Sequence, residues 1–587
     1  MAADTIPSRL LEQARLRPSG PAYKVRENGV WKATSWATYA DEVKRAGRAL
    51  ITLGIEPGEH TCILGFNRPE WVIFDVATMA VGGAPAGIYT TSSPEEVQYI
   101  VHHAEAKVVL VENAAQWEKI KAQRENLPAL RTVVLMKGAP RIDDPLVLSW
   151  EAFLAKADET SEEKLLQRIH ALEPEGLAQL IYTSGTTGPP KAVMLTHRNL
   201  AWTAKKAQEI TALTAADTTL SYLPLSHIAE QMFSIHGAIT TGICVYFAES
   251  IEAVPENLKE VQPTVFFGVP RIWEKFHAGI SAKLDEATGV KAKLVKWAMS
   301  VGRRVNALRG QGKKPQGLLA AEYELANRLI FSKLKEAIGL KNARIAVSGA
   351  APIAKEVLEF FAALDIVVLE VYGQSEDTGP TSFNLPNRFR FGSVGPAVSG
   401  VEVKIAEDGE VLVKGPNVFK GYLKDEAATK DTLVDGWLHS GDLGEFREGF
   451  LYITGRKKDI IITAGGKNIA PKNLEAALKN HELVNEAVVI GDRRKYLTAL
   501  VTLDPERVAA MGIDPKTAHQ DETVRASIQA HLDEINKQFA RVEQIKKFTI
   551  LERNFSIEDG ELTPTLKVKR NRVNEHFADA IEAMYED

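Results

Sequence analysis

The sequence predicts an α/β protein: a large N-terminal domain of layered sheets with a small β subdomain, followed by a smaller α+β C-terminal domain. Three observations carry this. From about residue 60 to 370, short β-branched runs alternate with helical patterns, the rhythm of largely parallel sheets covered on both faces. After residue 390 the texture turns to polar and apolar alternation, as in a half-exposed hairpin. From Pro471 onward helices mix with strand-like runs such as "EAVVIG" and "YLTALVTL". With 587 residues, 45% of them hydrophobic, the chain exceeds what one core usually organises, so two or more folded units are expected.

Taken in order, the opening "MAADTIPSRLLEQ" lacks a basic flank followed by an apolar run, so no signal peptide is expected. The most apolar long stretch, "WVIFDVATMAVGGAPAGI" from Trp71, is broken by Asp75, three glycines and Pro85. It reads as a buried helix leading into a strand, not as a membrane span. The runs "TCILGF", "AKVVLV", "RTVVLM", "QLIYTS", "ICVYF", "TVFFGV", "RIAVS" and "IVVLEV" are the expected strands of the large domain. Asp217, in "TAADT", reads as a residue of a surface loop. "VEVKIAEDGEVLVKG" turns at Asp408-Gly409 and belongs to a β-rich subdomain spanning about 390–455. The polar "GRKKD" marks a boundary at Gly455 to Asp459, dividing the chain into 1–457 and 458–587. A net charge of -5 gives no argument for nucleic acid. Cys62 and Cys244 lie far apart and make neither a metal cluster nor a disulfide framework, which fits a reducing cytosol. The sequence does not indicate an oligomeric state.

One segment stands apart. Between Thr288 and Ala321 there is no acidic residue, while Lys291, Lys293, Lys296, Arg303, Arg304, Arg309, Lys313 and Lys314 accumulate. Val290, Leu294, Trp297, Val301, Val305 and Leu308 recur at helical spacing. This basic amphipathic helix, around 290–314, has two compatible readings: packing against the main core, and peripheral contact with an anionic membrane.

The chemistry concentrates in "TSGTTGPPK", Thr183 to Lys191, behind the strand "QLIY". A Gly-rich turn offers consecutive backbone amides to an anion, Ser184, Thr186 and Thr187 add hydroxyl donors, and Lys191 adds a positive charge. It is not the common phosphate loop G-x-x-x-x-G-K-[ST]. Counted from Gly185, that pattern needs Gly at 190 and Ser or Thr at 192, where the chain has Pro190 and Ala192.

With "LPLSH" at 223–227, "YGQSE" at 372–376, "HSGDLG" at 439–444 and "GRKKD" at 455–459 following in order, the chain resembles the adenylate-forming superfamily of acyl-CoA synthetases, peptide-synthetase adenylation domains and luciferases. "FFGVPRIWEKF", "DGWLHSGDLG" and "GRKKDIIITAGGKNIAPKNLE" are most similar to the long-chain fatty acyl-CoA synthetases, bacterial or bubblegum-type. The resemblance implies a large domain with two α/β layered sheets and a mobile C-terminal domain. It also implies ATP, Mg2+ and coenzyme A as reaction partners, and a fatty acid as substrate. Another carboxylic acid or a carrier-protein thiol is the alternative, and a non-catalytic nucleotide or lipid binder is the reading from a different class.

On the positions that match, Thr183, Ser184, Gly185, Thr186, Thr187, Gly188 and Lys191 would hold the β- and γ-phosphates, and Ser375 would donate to a phosphate. Glu376 would bind magnesium. Tyr372, with Gly373 and Gln374, would face adenine, and the turn Ser348, Gly349, Ala350 would offer backbone groups to the base. Asp442 and Arg456 would contact the ribose. His227 would lie near the carboxylate and α-phosphate. Lys567, in "GELTPTLKVKR", matches the catalytic lysine, Lys458 the hinge, and Gly465 and Gly466 the lining of the pantetheine tunnel. Two departures stand out. Ala192 occupies a position where Gly is commoner, and the acyl gate is unassigned because Gln231 and Phe233 follow His227 where some relatives have a single aromatic.

Overall fold

The computed structural model describes residues 3–183, 189–465, 467–563 and 566–586. Its first sheet has eight strands in the order Gly421–Tyr422, Lys191–Thr196, Leu177–Thr183, Ala84–Ile88, His60–Leu64, Val108–Val111, Thr132–Leu135 and Val147–Leu148. The central strands are parallel, with Ile63 paired to both Gly87 and Leu110. Val108–Val111 reads VVLV and is buried throughout, as a parallel strand covered on both faces requires. The second sheet is also eight-stranded, from Ser382–Phe383 through Val368–Tyr372, Ile345–Ser348, Val265–Gly268, Thr218–Ser221 and Cys244–Phe247 to the hairpin Pro21–Glu27 and Val30–Ser35. All eight expected strand runs are strands. The edge hairpin near the N-terminus was not foreseen, because Lys24, Arg26 and Lys32 dilute its apolar alternation.

Between the sheets runs the helix Pro69–Ala80, buried at every position from Glu70 to Ala80. Pro69 starts it, where a missing N–H costs nothing, and the chain turns at Gly82 into Ala84–Ile88. This is the buried helix and strand read from "WVIFDVATMAVGGAPAGI". One continuous apolar cluster joins its Phe74 and Val76 to Ile63 and Ile181 of the first sheet and to Val245 and Val347 of the second. The strands Glu402–Ile405, Glu410–Lys414, Leu433–Val434, Trp437–Arg447 and Phe450–Arg456 form a separate antiparallel sheet, with Gly409 at a φ of 85° in the hairpin turn.

Beyond Ile461 the apolar residues form clusters of their own, around the strands Val484–Ile490, Leu497–Leu503 and Ile545–Ile550 and the helices Pro471–Lys479 and Glu522–Asn536. These residues make up the C-terminal unit.

One expectation is corrected. Asp217 is buried, and Arg344 grips it with Nε to Oδ1 at 2.8 Å and Nη2 to Oδ2 at 2.6 Å. The small polar turn around it conceals a buried carboxylate whose exposed arginine partner ties two strand starts together. The basic helix spans Gly289–Arg309, but its apolar stripe is only half covered. Val301 and Val305 are buried with Ala326 and Phe331, and Gly302 lets the backbone approach Ala363 so closely that a Cβ would lie 2.2 Å from its carbonyl oxygen. At the other end Val290 is 83% exposed, and Leu318 of the next helix is 78% exposed. No helix among the described residues is long and apolar enough to cross a membrane.

Candidate active site

Strands Leu177–Thr183 and Lys191–Thr196 are antiparallel, with Thr183 opposite Lys191, so the Gly-rich segment closes their hairpin. Ser184, Gly185, Thr186, Thr187 and Gly188 lie outside the described residues. Ala192 sits in the extended strand and not in the left-handed region, so the methyl group there is accommodated without strain. Lys191 Nζ stands 5.0 Å from the centroid of the Tyr422 ring and 3.8 Å from Asp425 Oδ2.

Facing it are the ends of the parallel strands Ile345–Ser348 and Val368–Tyr372. Ligands of open α/β sheets gather at such strand ends. After the first strand, Ala350 adopts a φ of 68°, a costly conformation for a residue with a side chain and one often held at ligand sites. Gly349 packs on Val371, where a Cβ would lie 2.6 Å from Cγ1. After the second, Gly373 passes Gly379 so closely that a Cβ would fall 1.4 Å from its carbonyl oxygen, so only glycine fits. The following turn, Ser375–Asp377, is clamped where Asp377 Oδ1 accepts from the Gln374 N–H at 2.7 Å. It presents Glu376, whose Oε1 accepts from the Tyr422 hydroxyl at 2.8 Å. The Ser348 hydroxyl and Gln374 Nε2 are buried without a hydrogen-bond partner among the described residues, and both residues border the cavity described below. Buried polar atoms are nearly always paired, so these two fit groups waiting for a ligand.

The antiparallel sheet contributes the third wall. Asp442 and Arg456 are direct cross-strand partners. Asp442 Oδ1 lies 3.2 Å from Arg456 Nε, and Oδ2 accepts from the Tyr372 hydroxyl at 2.9 Å. The phenol edge of Tyr372 is thereby tethered to the carboxylate. Behind them the buried Glu410 accepts from the Gly441 N–H at 2.9 Å and pairs with Lys457 at 3.0 Å, beside Lys458.

His227 caps the short helix Ile228–Gln231, and its Nδ1 accepts from the Ala229 N–H at 3.1 Å. That bond leaves the proton of the neutral ring on Nε2. Burial, reinforced by the Lys567 charge, pulls its pKa down to about 4, so it is neutral at pH 7. The helix then widens into a π turn over Met232–His236, a feature frequent at functional sites.

Lys567 comes from the C-terminal unit. Leu562 and Val568 bridge, and Lys567 donates its N–H to Thr563 Oγ1 at 3.0 Å, so a short turn fixes its backbone. The side chain stays accessible to the cavity while protein surrounds it. Burial and the nearby Arg456 and Lys472 pull its pKa down to about 8 against the opposing pull of Asp442 and Glu376.

All of this converges on one cavity of about 1740 Å³, well above the few hundred to 1,000 Å³ of an ordinary ligand pocket. Its wall includes Thr183, Lys191, His227, Ser348, Ala350, Tyr372, Gly373, Gln374, Ser375, Glu376, Asp442, Arg456, Lys458 and Lys567. Gly349 lies behind the wall, and Gly465 sits outside it in the turn between Ile461–Ile462 and Asn468–Ile469. Gly466 lies outside the described residues. From His227 the cavity extends as an apolar arm past Ala204, Ala207, Ile210, Met232 and Ile243. Phe233 also faces it, stacked on Phe267 at 5.0 Å, whereas Gln231 is buried and donates to the Leu225 carbonyl at 2.9 Å. Sequence reasoning missed this arm because Ala204, Ala207 and Ile210 follow the same helical spacing as any core-facing stripe. It missed Glu410 and Tyr422 because each stands outside the recognised motifs, and Lys472 because nothing within "GRKKDIIITAGGKNIAPKNLE" singles it out from the other lysines there.

Comparison with known proteins agrees with this geometry. Residues 10–423 match the AMP-binding enzyme family, and residues 458–587 match the AMP-binding enzyme C-terminal domain. The long-chain-fatty-acid–CoA ligase ACSBG2 of Xenopus laevis is 38% identical over 601 residues, covering 96% of this chain and 81% of that protein. The human ACSBG2 ligase is 36% identical over 618 residues, covering 99% and 92%. Among solved structures, the adenylation domain of a carboxylate reductase from Mycobacterium chelonae superposes with a TM-score of 0.76 at 22% identity, covering 99% of this chain and 91% of that one. On this evidence of fold and sequence, the chain belongs to the AMP-binding, adenylate-forming enzyme family, in its bubblegum-type branch of long-chain acyl-CoA synthetases.

Proposed function

We propose that the protein joins a long-chain fatty acid to coenzyme A at the expense of ATP, in two steps sharing one cavity. In the first, a carboxylate oxygen of the fatty acid attacks the α-phosphorus of ATP. The bond from that phosphorus to the bridging oxygen breaks, and pyrophosphate leaves with the electron pair. In the second, the coenzyme A sulfur attacks the acyl carbonyl carbon, releasing AMP and the thiol proton. The observation that carries the reading is the continuity of the cavity, which runs from the Lys191, Glu376, Asp442 and Lys567 cluster into an arm lined mainly by apolar side chains, with Gln208, Thr211 and Thr241 among them. A charged head and a long hydrocarbon tail are the two things such a space accommodates.

An anionic nucleophile approaching a polyanion is repelled, so the barrier falls when fixed donors and cations meet the charge where it develops. Lys191 and the Thr183 to Gly188 segment hold the terminal phosphates, and Ser375 donates to a phosphate oxygen. Tyr372 lays its ring on adenine, with the Ser348 to Ala350 turn, Gly373 and Gln374 around the base. Asp442 and Arg456 hold the ribose. Lys567 bridges the incoming carboxylate and the α-phosphate, and His227, neutral with its proton on Nε2, donates to the same region. Among the described residues no three His, Cys, Asp or Glu side chains group to hold a metal by themselves. A single carboxylate fits magnesium all the same, since that ion takes one or two protein oxygens and completes its shell with phosphates and water. Bound through Glu376, magnesium would neutralise phosphate charge. The unit from 458 onward then turns about Lys458, withdrawing Lys567 and bringing Gly465 and Gly466 to the pantetheine arm of coenzyme A.

The test is AMP release across fatty acids of graded length with ATP and coenzyme A. Production of AMP and acyl-CoA that favours long chains is expected, and absence with every acid would overturn the reading. Pyrophosphate exchange driven by an amino acid instead of palmitate would favour the alternative substrate class. The half-covered helix Gly289–Arg309, with exposed Lys291, Lys293 and Lys296 beside the exposed Val290, supports peripheral contact with anionic lipid. Changing the three lysines to Gln should weaken sedimentation with phosphatidylserine vesicles in a salt-sensitive way, and unchanged sedimentation would leave the helix to packing alone.

A further inference from the structure

Tyr422 has no part in the chemistry above, yet its side chain joins two groups that do. It ends the strand Gly421–Tyr422, which pairs antiparallel with Lys191–Thr196 so that Tyr422 faces Val193, two residues from Lys191. Its hydroxyl donates to Glu376 Oε1 at 2.8 Å, and its ring carries Lys191 Nζ at 5.0 Å from the centroid. Several bonds fix this placement. The Tyr422 N–H donates to Thr429 Oγ1 at 2.9 Å, Phe419 meets the ring edge-on at 4.9 Å, and the Phe419 N–H donates to the main-chain oxygen of Glu376 at 2.8 Å.

The chemistry of the contact matters. A lysine or arginine aimed at Glu376 would neutralise the charge that a divalent cation needs. A phenol orients one carboxylate oxygen and leaves the charge in place. The aromatic face meanwhile offers a lysine ammonium an attractive surface without giving it a counter-ion; Asp425, at 3.8 Å, is the nearest carboxylate. For packing against Phe419 alone, a phenylalanine would serve.

We propose that Tyr422 is a positioning residue that holds Glu376 and Lys191 in mutual register, so that the cation-binding carboxylate and the phosphate-binding ammonium meet the same triphosphate. The inference rests on the roles given to Glu376 and Lys191 above. It is tested on the full-length protein by calorimetric titration with α,β-methylene-ATP, first in EDTA and then in saturating magnesium. Wild type, Tyr422→Phe, Tyr422→Leu and Glu376→Gln are compared. Tyr422→Phe keeps the ring and should retain the metal-free affinity while losing about ten-fold or more of the gain from magnesium, the usual cost of removing a support behind a metal ligand. Tyr422→Leu should lose metal-free affinity as well, because the platform under Lys191 is gone. An unchanged magnesium gain in Tyr422→Phe, or an equal loss with and without the metal, overturns the proposal. If Glu376→Gln loses the gain and Tyr422→Phe does not, only the role of Tyr422 falls. If Glu376→Gln keeps the full gain, the reading of Glu376 falls, and this inference with it.

Discussion

In the large N-terminal unit, burial pushes the carboxyls of Asp75, Glu370 and Asp377 up to about 8, whereas in the C-terminal unit the buried Glu561 meets Arg553 at 2.6 Å and His576 at 3.0 Å. Burial works against the Glu561 charge, but these partners and the Ser556 N–H hold its pKa below the usual carboxylate range. Glu475 likewise pairs with Arg570, and Lys479 with Glu486 at 2.9 Å. The large unit therefore hides neutral acids beside compensated ones such as Asp217 and Glu410, while the small one hides the compensated Glu561. Lys567 is the exception in the small unit. Burial and Lys472 of its own unit act on it together with Arg456, Asp442 and Glu376 of the large unit. Its titration therefore depends in part on docking, and withdrawal of the small unit is expected to leave it nearer an ordinary lysine.

The sharpest break of that comparison is Lys567→Ala. Removing one well-placed charge from a developing transition state costs about 10²- to 10³-fold, so pyrophosphate exchange should fall by that order. Supplied acyl-adenylate should still become thioester at close to the normal rate. Equal loss in both assays would show that the lysine is misassigned. Lys458→Pro should do the reverse, because it stiffens the point about which the unit turns. Adenylation should persist while thioester formation drops by an order of magnitude or more, and normal thioester production would remove the hinge.

A smaller effect separates docked from withdrawn lysine by pH. Lys567 acts protonated, and in the docked arrangement its proton is lost near pH 8. kcat/KM for adenylation should therefore fall above about pH 8, roughly ten-fold per unit, since that parameter reports the free enzyme. Conversion of supplied acyl-adenylate should show no such limb. A limb shared by both half-reactions would assign the titration to another group.

How far the site was legible follows the same division. Thr183, Lys191, Tyr372, Glu376, Asp442 and Arg456 stand in ordered motifs that resemble those of the adenylate-forming family, and the fold brings them to one cavity. Lys567 was legible only by register, since Lys569 and Arg570 beside it carry the same charge; both Lys567 and Arg570 border the cavity, and Arg570 is paired with Glu475. The eight strand runs of the large unit were legible because doubly buried parallel strands are continuously apolar. Asp217 was misread because a turn composition says where the chain bends, not which side chain folds inward. The apolar arm was illegible for a deeper reason: a helix face that lines a tunnel and one that fills a core obey the same hydrophobic spacing. The neighbouring π turn at Met232–His236, two of whose residues border the arm, is likewise announced by no sequence period.

The smallest expected effect tests the neutral acids of the large unit. Asp75 is fully buried, and neither of its carboxyl oxygens has a hydrogen-bond partner among the described residues, although the Gln179 side chain acts on it. An unpaired charge there would cost several kcal/mol, so the group keeps its proton up to about pH 8. A folded pKa above the unfolded value of 3.8 gives stability that is complete below 3.8 and lost as pH rises through about 8. His197 and His227, lowered to about 4, and His236, lowered to about 3, act oppositely, but only below their unfolded value of 6.5. Between pH 6.5 and 8.5 the raised carboxyls act without opposition from these histidines, and the melting temperature should decline across that interval. Asp75→Asn preserves the shape without the titration and should flatten the decline by about one to two degrees, given roughly 1.4 kcal/mol per pH unit for one group. An Asn variant whose decline matches the wild type would show that Asp75 ionises inside the fold, placing it with the compensated charges of the C-terminal unit and not with the neutral acids of its own.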